Sequence, residues 1–141
     1  MKELAILLRA MNLFAHSAHT LVARTPFHSD HEFFGVYSEL DDDYDAIVGR
    51  MIGLFGEEPA ELGSIVAGAA QKLAGSPSIG VKENSIFYVK QLQFEKELCS
   101  LISKVIAAGV SPGTEQTLGT ICEKSEIRQY KCQQRIKKWT Y

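Results

Sequence analysis

The sequence predicts an all-α protein in which four long amphipathic helices form a bundle, and three observations carry that expectation. Apolar residues recur at the three-and-four spacing of a helix face over three separate segments, and the start and end signals of a helix frame a fourth. No run of respectable length alternates with period two, so no strand is expected. The chain has 141 residues, enough for one core and too few for two, so residues 1–141 are read as a single domain.

The first helix is expected from about 2 to 24, with Leu4, Leu7, Leu8, Met11, Phe14, Ala18, Leu21 and Val22 on its buried stripe. Thr25-Pro26 interrupts it. Ser29 to Glu32 then has the capping-box form, a hydroxyl acceptor followed three residues later by a carboxylate, so a second helix should start near residue 30. Phe33, Tyr37, Leu40, Tyr44, Ile47, Val48, Met51 and Phe55 would be its stripe, with Gly56 as the stop. Residues 57–82 change character, since Pro59, Gly63, Gly75, Pro77 and Gly80 frame a segment that suits only a short helix. A third long helix is expected from about 83 to 108, ending before Gly109. The fourth opens with Ser111 as N-cap and Pro112 in the first helical position, and closes on Lys137 and Lys138, which suit a helix C-terminus. Two tight connections around one long crossover define a four-helix bundle of the ferritin-like kind, the crossover carrying the short helix.

Composition excludes several roles. A net charge of −2 gives no general basis for binding nucleic acid. The N-terminal apolar residues are interrupted by Glu3, Arg9 and Asn12, so neither a signal peptide nor a membrane span is expected, and the protein reads as cytoplasmic. Cys99, Cys122 and Cys132 lack a Cys-x-x-Cys spacing, which argues for reduced core thiols over a disulfide framework or a thiolate zinc site.

All four histidines fall between Phe14 and Phe34, as His16-x-x-His19 and, twelve residues later, His28-x-x-His31. His19 and His31 stand at similar distances on either side of the interruption at Pro26, so they can lie level on adjacent helices, with His16 one turn deeper than His19. Asp41 and Asp45 are stacked four apart farther along. Imidazole and carboxylate together suit a divalent ion such as iron. His31 and Asp45 are about 21 Å apart on a straight helix, too far to share an ion within one chain. Two copies whose second helices pair antiparallel across a two-fold axis would bring Asp45 of one level with His31 of the other, giving two composite sites per dimer.

In these features the chain resembles the Dps mini-ferritins. His16, His19, His31, Glu32, Tyr37, Asp45 and Arg50 stand where the family carries its paired histidines, a third histidine in a capping box, a tyrosine and a D-x-x-x-E-R run, and Ser111, Thr114, Leu118 and Tyr130 match its last helix. The resemblance spans nearly the whole chain and implies a dodecameric homo-oligomer built on two-fold dimers. It also implies iron as the metal, with another divalent ion as the variant, and ferroxidase-type oxidation by peroxide or oxygen before storage as ferric mineral. His19, His31 and Asp45 would be the principal ligands, His16 an outer one, and His28 has no ligand position.

The departures are specific. The segment between His31 and Asp45 is one residue shorter than in the family. The ligand glutamate expected four residues after Asp45 is Gly49, for which Asp41 or Asp42 is the candidate substitute; Thr20 stands where tryptophan is common; and the family's basic N-terminal tail is expected to be absent. A competing expectation is therefore a ferritin-like cage or dimer that has lost ferroxidase activity and serves as a structural, DNA-associated or interaction module. Arg135, Lys137 and Lys138 would give it at most a weak hold on DNA, and a solvated helix end explains them equally well. The bland reading of Asp41, Asp42 and Asp43 is likewise a solvated face.

Overall fold

The computed structural model describes residues 1–22, 33, 35–55, 62–75 and 85–139. They form α1 (Lys2–Val22), α2 (Tyr37–Phe55), α3 (Leu62–Leu73), α4 (Ser85–Ala108) and α5 (Pro112–Trp139), with no strand among the described residues.

Local chemistry sets the ends. The Met1 carbonyl accepts from the amides of Leu4 (3.0 Å) and Ala5 (3.2 Å), and Glu3 lies in the first turn, where a negative charge complements the helix dipole. At Gly109 the backbone turns left-handed (φ 98°) and its amide donates to the Ile106 carbonyl at 3.0 Å, a stop that a side chain would strain. Ser111 then caps α5 as expected, its Oγ accepting from the Thr114 amide at 3.3 Å.

The second helix is not continuous as expected. The expected start near residue 30 lies outside the described residues; Phe33 is helical, a turn at residues 35–36 breaks the expected continuous helix, and regular helix runs from Tyr37. Gly35 is a poor helix former, and its carbonyl is taken up by the Ser38 amide (3.4 Å) and Ser38 Oγ (3.3 Å) in a local turn.

Helix α1 packs against α2, α3 and α4; α4 packs against α5, and α5 reaches α2. Side-chain pairs give the directions. Arg9 meets Asp41 while Asn12 meets the Tyr37 carbonyl, so α1 and α2 are antiparallel. Arg50 meets Thr114 and Lys124 meets Asp43, which makes α2 and α5 antiparallel. Glu95 meets Ser125 whereas Cys99 meets Cys122, so α4 and α5 are antiparallel too. A closed ring α1–α2–α5–α4 then requires α2 and α4 to run the same way, and their connection must travel the length of the bundle. Helix α3 lies on that path, against α1. The contact is close, because a Cβ at Gly68 would meet the Ile6 side chain at 2.8–3.0 Å.

The apolar stripes read from the periodicity of the first two helices are core, with Leu4, Leu7, Leu8, Met11, Leu40, Ile47 and Met51 unexposed, and Leu98 and Leu118 are as fully buried. Phe33, Tyr44 and Met51 are buried within the chain, as their place on the stripe leads one to expect, Tyr37 is half-buried and Phe34 lies outside the described residues. The exposed residues of α2 are Ser38, Asp42, Asp45, Ala46, Gly49, Ile52, Gly53 and Leu54.

Candidate functional site

Tyr37, the first residue of α2, is anchored to α1 through Asn12 Nδ2, which donates to its carbonyl at 2.7 Å. Its ring sits between the two described histidines: His16 stacks on it (centroids 4.2 Å apart, planes 12°) and His19 meets it edge-on (5.3 Å, 69°). His16 is exposed and His19 half-buried. His28 and His31 lie outside the described residues.

The aspartates separate into three environments. Asp41 accepts from Arg9 at 3.1 Å, and that guanidinium also lies 3.8 Å over the Tyr44 ring, so Asp41 is already committed to a cation. Asp42 and Asp45 are exposed on the outer face of α2. Asp43 is only 2% exposed and paired with Lys124, which corrects the reading of this run as a solvated face. From Tyr37 to Asp45 is about 12 Å along the helix, so the histidine end and Asp45 of one chain do not converge. Gly49 is exposed, and a Cβ there would meet nothing within 4 Å among the described residues.

Between α2, α4 and α5 lies a polar layer that periodicity alone did not disclose. Glu95 is fully buried and accepts from Arg128 Nε (2.7 Å), Ser125 Oγ (2.7 Å) and Gln91 Nε2 (3.0 Å), while Arg128 Nη1 reaches Glu39 at 2.6 Å. A signal was present. Tyr88, Gln91, Glu95, Leu98 and Ile102 follow one another at three-and-four spacing, as do Leu118, Ile121, Ser125, Arg128 and Cys132, so each polar residue sits within an apolar stripe. Asp43 Oδ2, Gln91 Oε1 and Arg128 Nη2 are buried without a hydrogen-bond partner.

Burial pushes the carboxyls of Glu95 and Asp43 upward, Arg128 and Lys124 opposing it respectively. A raised folded-state pKa contributes stability that is full below the ordinary value, 3.8 for Asp43, and is lost as pH rises through the folded value. Asp43→Asn removes that contribution. Its stability relative to the parent should therefore improve as pH rises from below 3.8 into the raised range, read by urea unfolding at each pH. A relative stability that falls over the same interval would show the Lys124 charge outweighing burial.

The cysteines also depart from expectation. Cys132 is a buried core thiol, but Cys99 and Cys122 are half-buried with their sulfurs 3.0 Å apart. Glu126 Oε1 lies 3.6 Å from the Cys122 sulfur, and these three are the one group of three or more His, Cys, Asp and Glu donors that converge among the described residues.

Comparison with protein-family models, curated proteins and solved structures yields no match. Among the described residues no helix is long and apolar enough to cross a membrane.

Proposed function

We propose that the chain is a subunit of a ferritin-like, Dps-like homo-oligomer, most simply a dodecamer of two-fold dimers, that binds ferrous iron at its dimer interfaces and oxidises it for storage. The observation that carries this reading is the meeting of residues chosen by the resemblance from separate segments: Tyr37 with His16 and His19, and Arg50 Nη1 with Thr114 Oγ1 at 3.3 Å. The parallel run of α2 and α4, with a long crossover between them, agrees with it. Neutral imidazoles of His19 and His31 would hold the ion, Asp45 of the partner subunit would favour the ferric charge, and His16 would be an outer ligand. Two ferrous ions supply two electrons to one peroxide, which takes up two protons and leaves as two waters. Such oxidation removes iron and peroxide together, and so protects against oxidative damage.

The outer face of α2 suits this pairing. Gly49 costs about 1 kcal/mol relative to alanine in a helix, and among the described residues nothing lies within 4 Å of where its Cβ would be. Gly49→Ala should accordingly stabilise the isolated subunit by about that amount in urea unfolding, and Gly49→Glu, which restores a carboxylate, should tighten ferrous binding or quicken oxidation. Unchanged iron chemistry in a folded, assembled Gly49→Glu protein would displace the second carboxylate from this position.

A second reading has its own support. With Gly49 offering no ligand and Asp41 held by Arg9, a ferritin-like cage or dimer that lost ferroxidase activity and became a structural, weakly DNA-associated or interaction module is consistent with the same chain. Ferrous oxidation in air, with and without peroxide, on metal-free protein separates the two. A rate above the buffer blank is expected; a rate equal to it selects the second reading, and a monomer by light scattering at micromolar concentration removes the interface site.

A further inference from the structure

We propose that Cys99, Cys122 and Glu126 form a separate metal site on the seam between α4 and α5, for a thiophilic divalent ion of the zinc kind, with Gln129 positioning the Cys99 sulfur. Cys122 and Glu126 are four apart on α5 and so present their donors on one face, while Cys99 approaches from α4. All three donor atoms lie within 4.8 Å of one another. Two zinc–thiolate bonds at a tetrahedral angle place the sulfurs about 3.8 Å apart. The 3.0 Å observed for the thiols lies within an ångström of this separation, and the carboxylate oxygen at 3.6 Å from the Cys122 sulfur already stands at a suitable one. Glu126 is exposed and both thiols are half-buried, so an ion can enter and a water can complete the fourth position.

Gln129 gives the site a support beyond its ligands. Its Nε2 donates to the Cys99 sulfur at 3.4 Å and lies 3.3 Å from Ser125 Oγ and 3.4 Å from the Glu95 carbonyl. The sulfur is thereby oriented from the buried polar layer, as outer groups orient metal ligands elsewhere.

Binding exchanges bonds without redox chemistry: two S–H bonds break, two metal–sulfur bonds form, and two protons pass to solvent. The proposal does not depend on the iron reading, because it uses neither the histidines nor a second subunit.

The test is a titration of reduced, metal-free protein with Co2+ in the absence of air, followed by Zn2+. One Co2+ per chain should bind with a sulfur-to-cobalt charge-transfer band that Zn2+ abolishes. Cys99→Ser and Cys122→Ser should each remove or markedly reduce the band, with folding checked by circular dichroism. Gln129→Leu should retain it with affinity lowered by about 10–100-fold. In the unaltered protein, Zn2+ should protect Cys99 and Cys122 from alkylation. Cobalt binding without a sulfur band, a band undiminished in both cysteine variants, or alkylation rates indifferent to Zn2+ would each overturn the proposal. So would a Cys99–Cys122 disulfide forming with peroxide at the same rate in the presence of Zn2+ as in its absence.

Discussion

Arg128→Met should destabilise the chain by about 3–5 kcal/mol, the range for removing one partner of a buried ion pair. Arg128 is 2% exposed and joins Glu95, which is fully buried, to Glu39, which is half in solvent. Without the guanidinium, the Glu95 carboxylate keeps only neutral donors, Ser125 and Gln91, against the cost of its burial. Its pKa, already held up by burial, should rise further. The contribution of a carboxyl so raised is present at low pH and lost as pH increases, so the defect of Arg128→Met should be smaller near pH 4 than near pH 7. Urea unfolding at both pH values measures this. The double variant Glu95→Leu/Arg128→Met, which leaves no buried charge at the pair, should recover most of the loss. A single variant costing under about 1 kcal/mol would mean that the layer is far more hydrated than its burial implies.

The second large effect concerns iron. His19→Ala and Asp45→Ala should each abolish the proposed interface site, while a verified heterodimer of the two variants should regain up to half of its sites. A two-fold dimer has two composite sites, each drawing imidazoles from one chain and a carboxylate from the other. In the heterodimer one site carries both lesions and the other carries neither. The separation of about 12 Å between Tyr37, where His16 and His19 gather, and Asp45 is what prevents one chain from making the site by itself. His28→Ala should behave as the parent. Stoichiometric ferrous titration of each variant and of the co-refolded mixture is the measurement; no recovery in the heterodimer would remove the interface site, and a large loss with His28→Ala would transfer the ligand role to that residue. Neither outcome bears on the cysteine site.

The histidine end was only partly legible from sequence. The spacing of His16 and His19 placed them on one face of α1, and Tyr37 emerged from the resemblance, but a ring-on-ring contact between helices depends on how α1 and α2 are rotated against each other. His31, the other half of the predicted pair, falls outside the described residues. Asp41 was read as a candidate ligand because it lies one turn from Asp45, and its engagement by Arg9 could not be foreseen from positions 32 residues apart.

Sequence by itself determined what depends on neighbours along the chain. Helical periodicity named the stripes that became the core, Ser111 and Pro112 announced the start of α5, and Gly109 the end of α4, because capping and left-handed backbone are settled within a few residues. Tertiary structure alone decided what depends on helices meeting. It buried Asp43 in a run that looked solvated, enclosed Glu95 and Arg128 as partners, and brought together two cysteines whose spacing had argued against a disulfide framework or a thiolate zinc site. The physical reason is that a stripe specifies which face turns inward, whereas charge pairing and sulfur contact require the rotation and axial offset of two helices. Those are set by the packing of all the side chains between them.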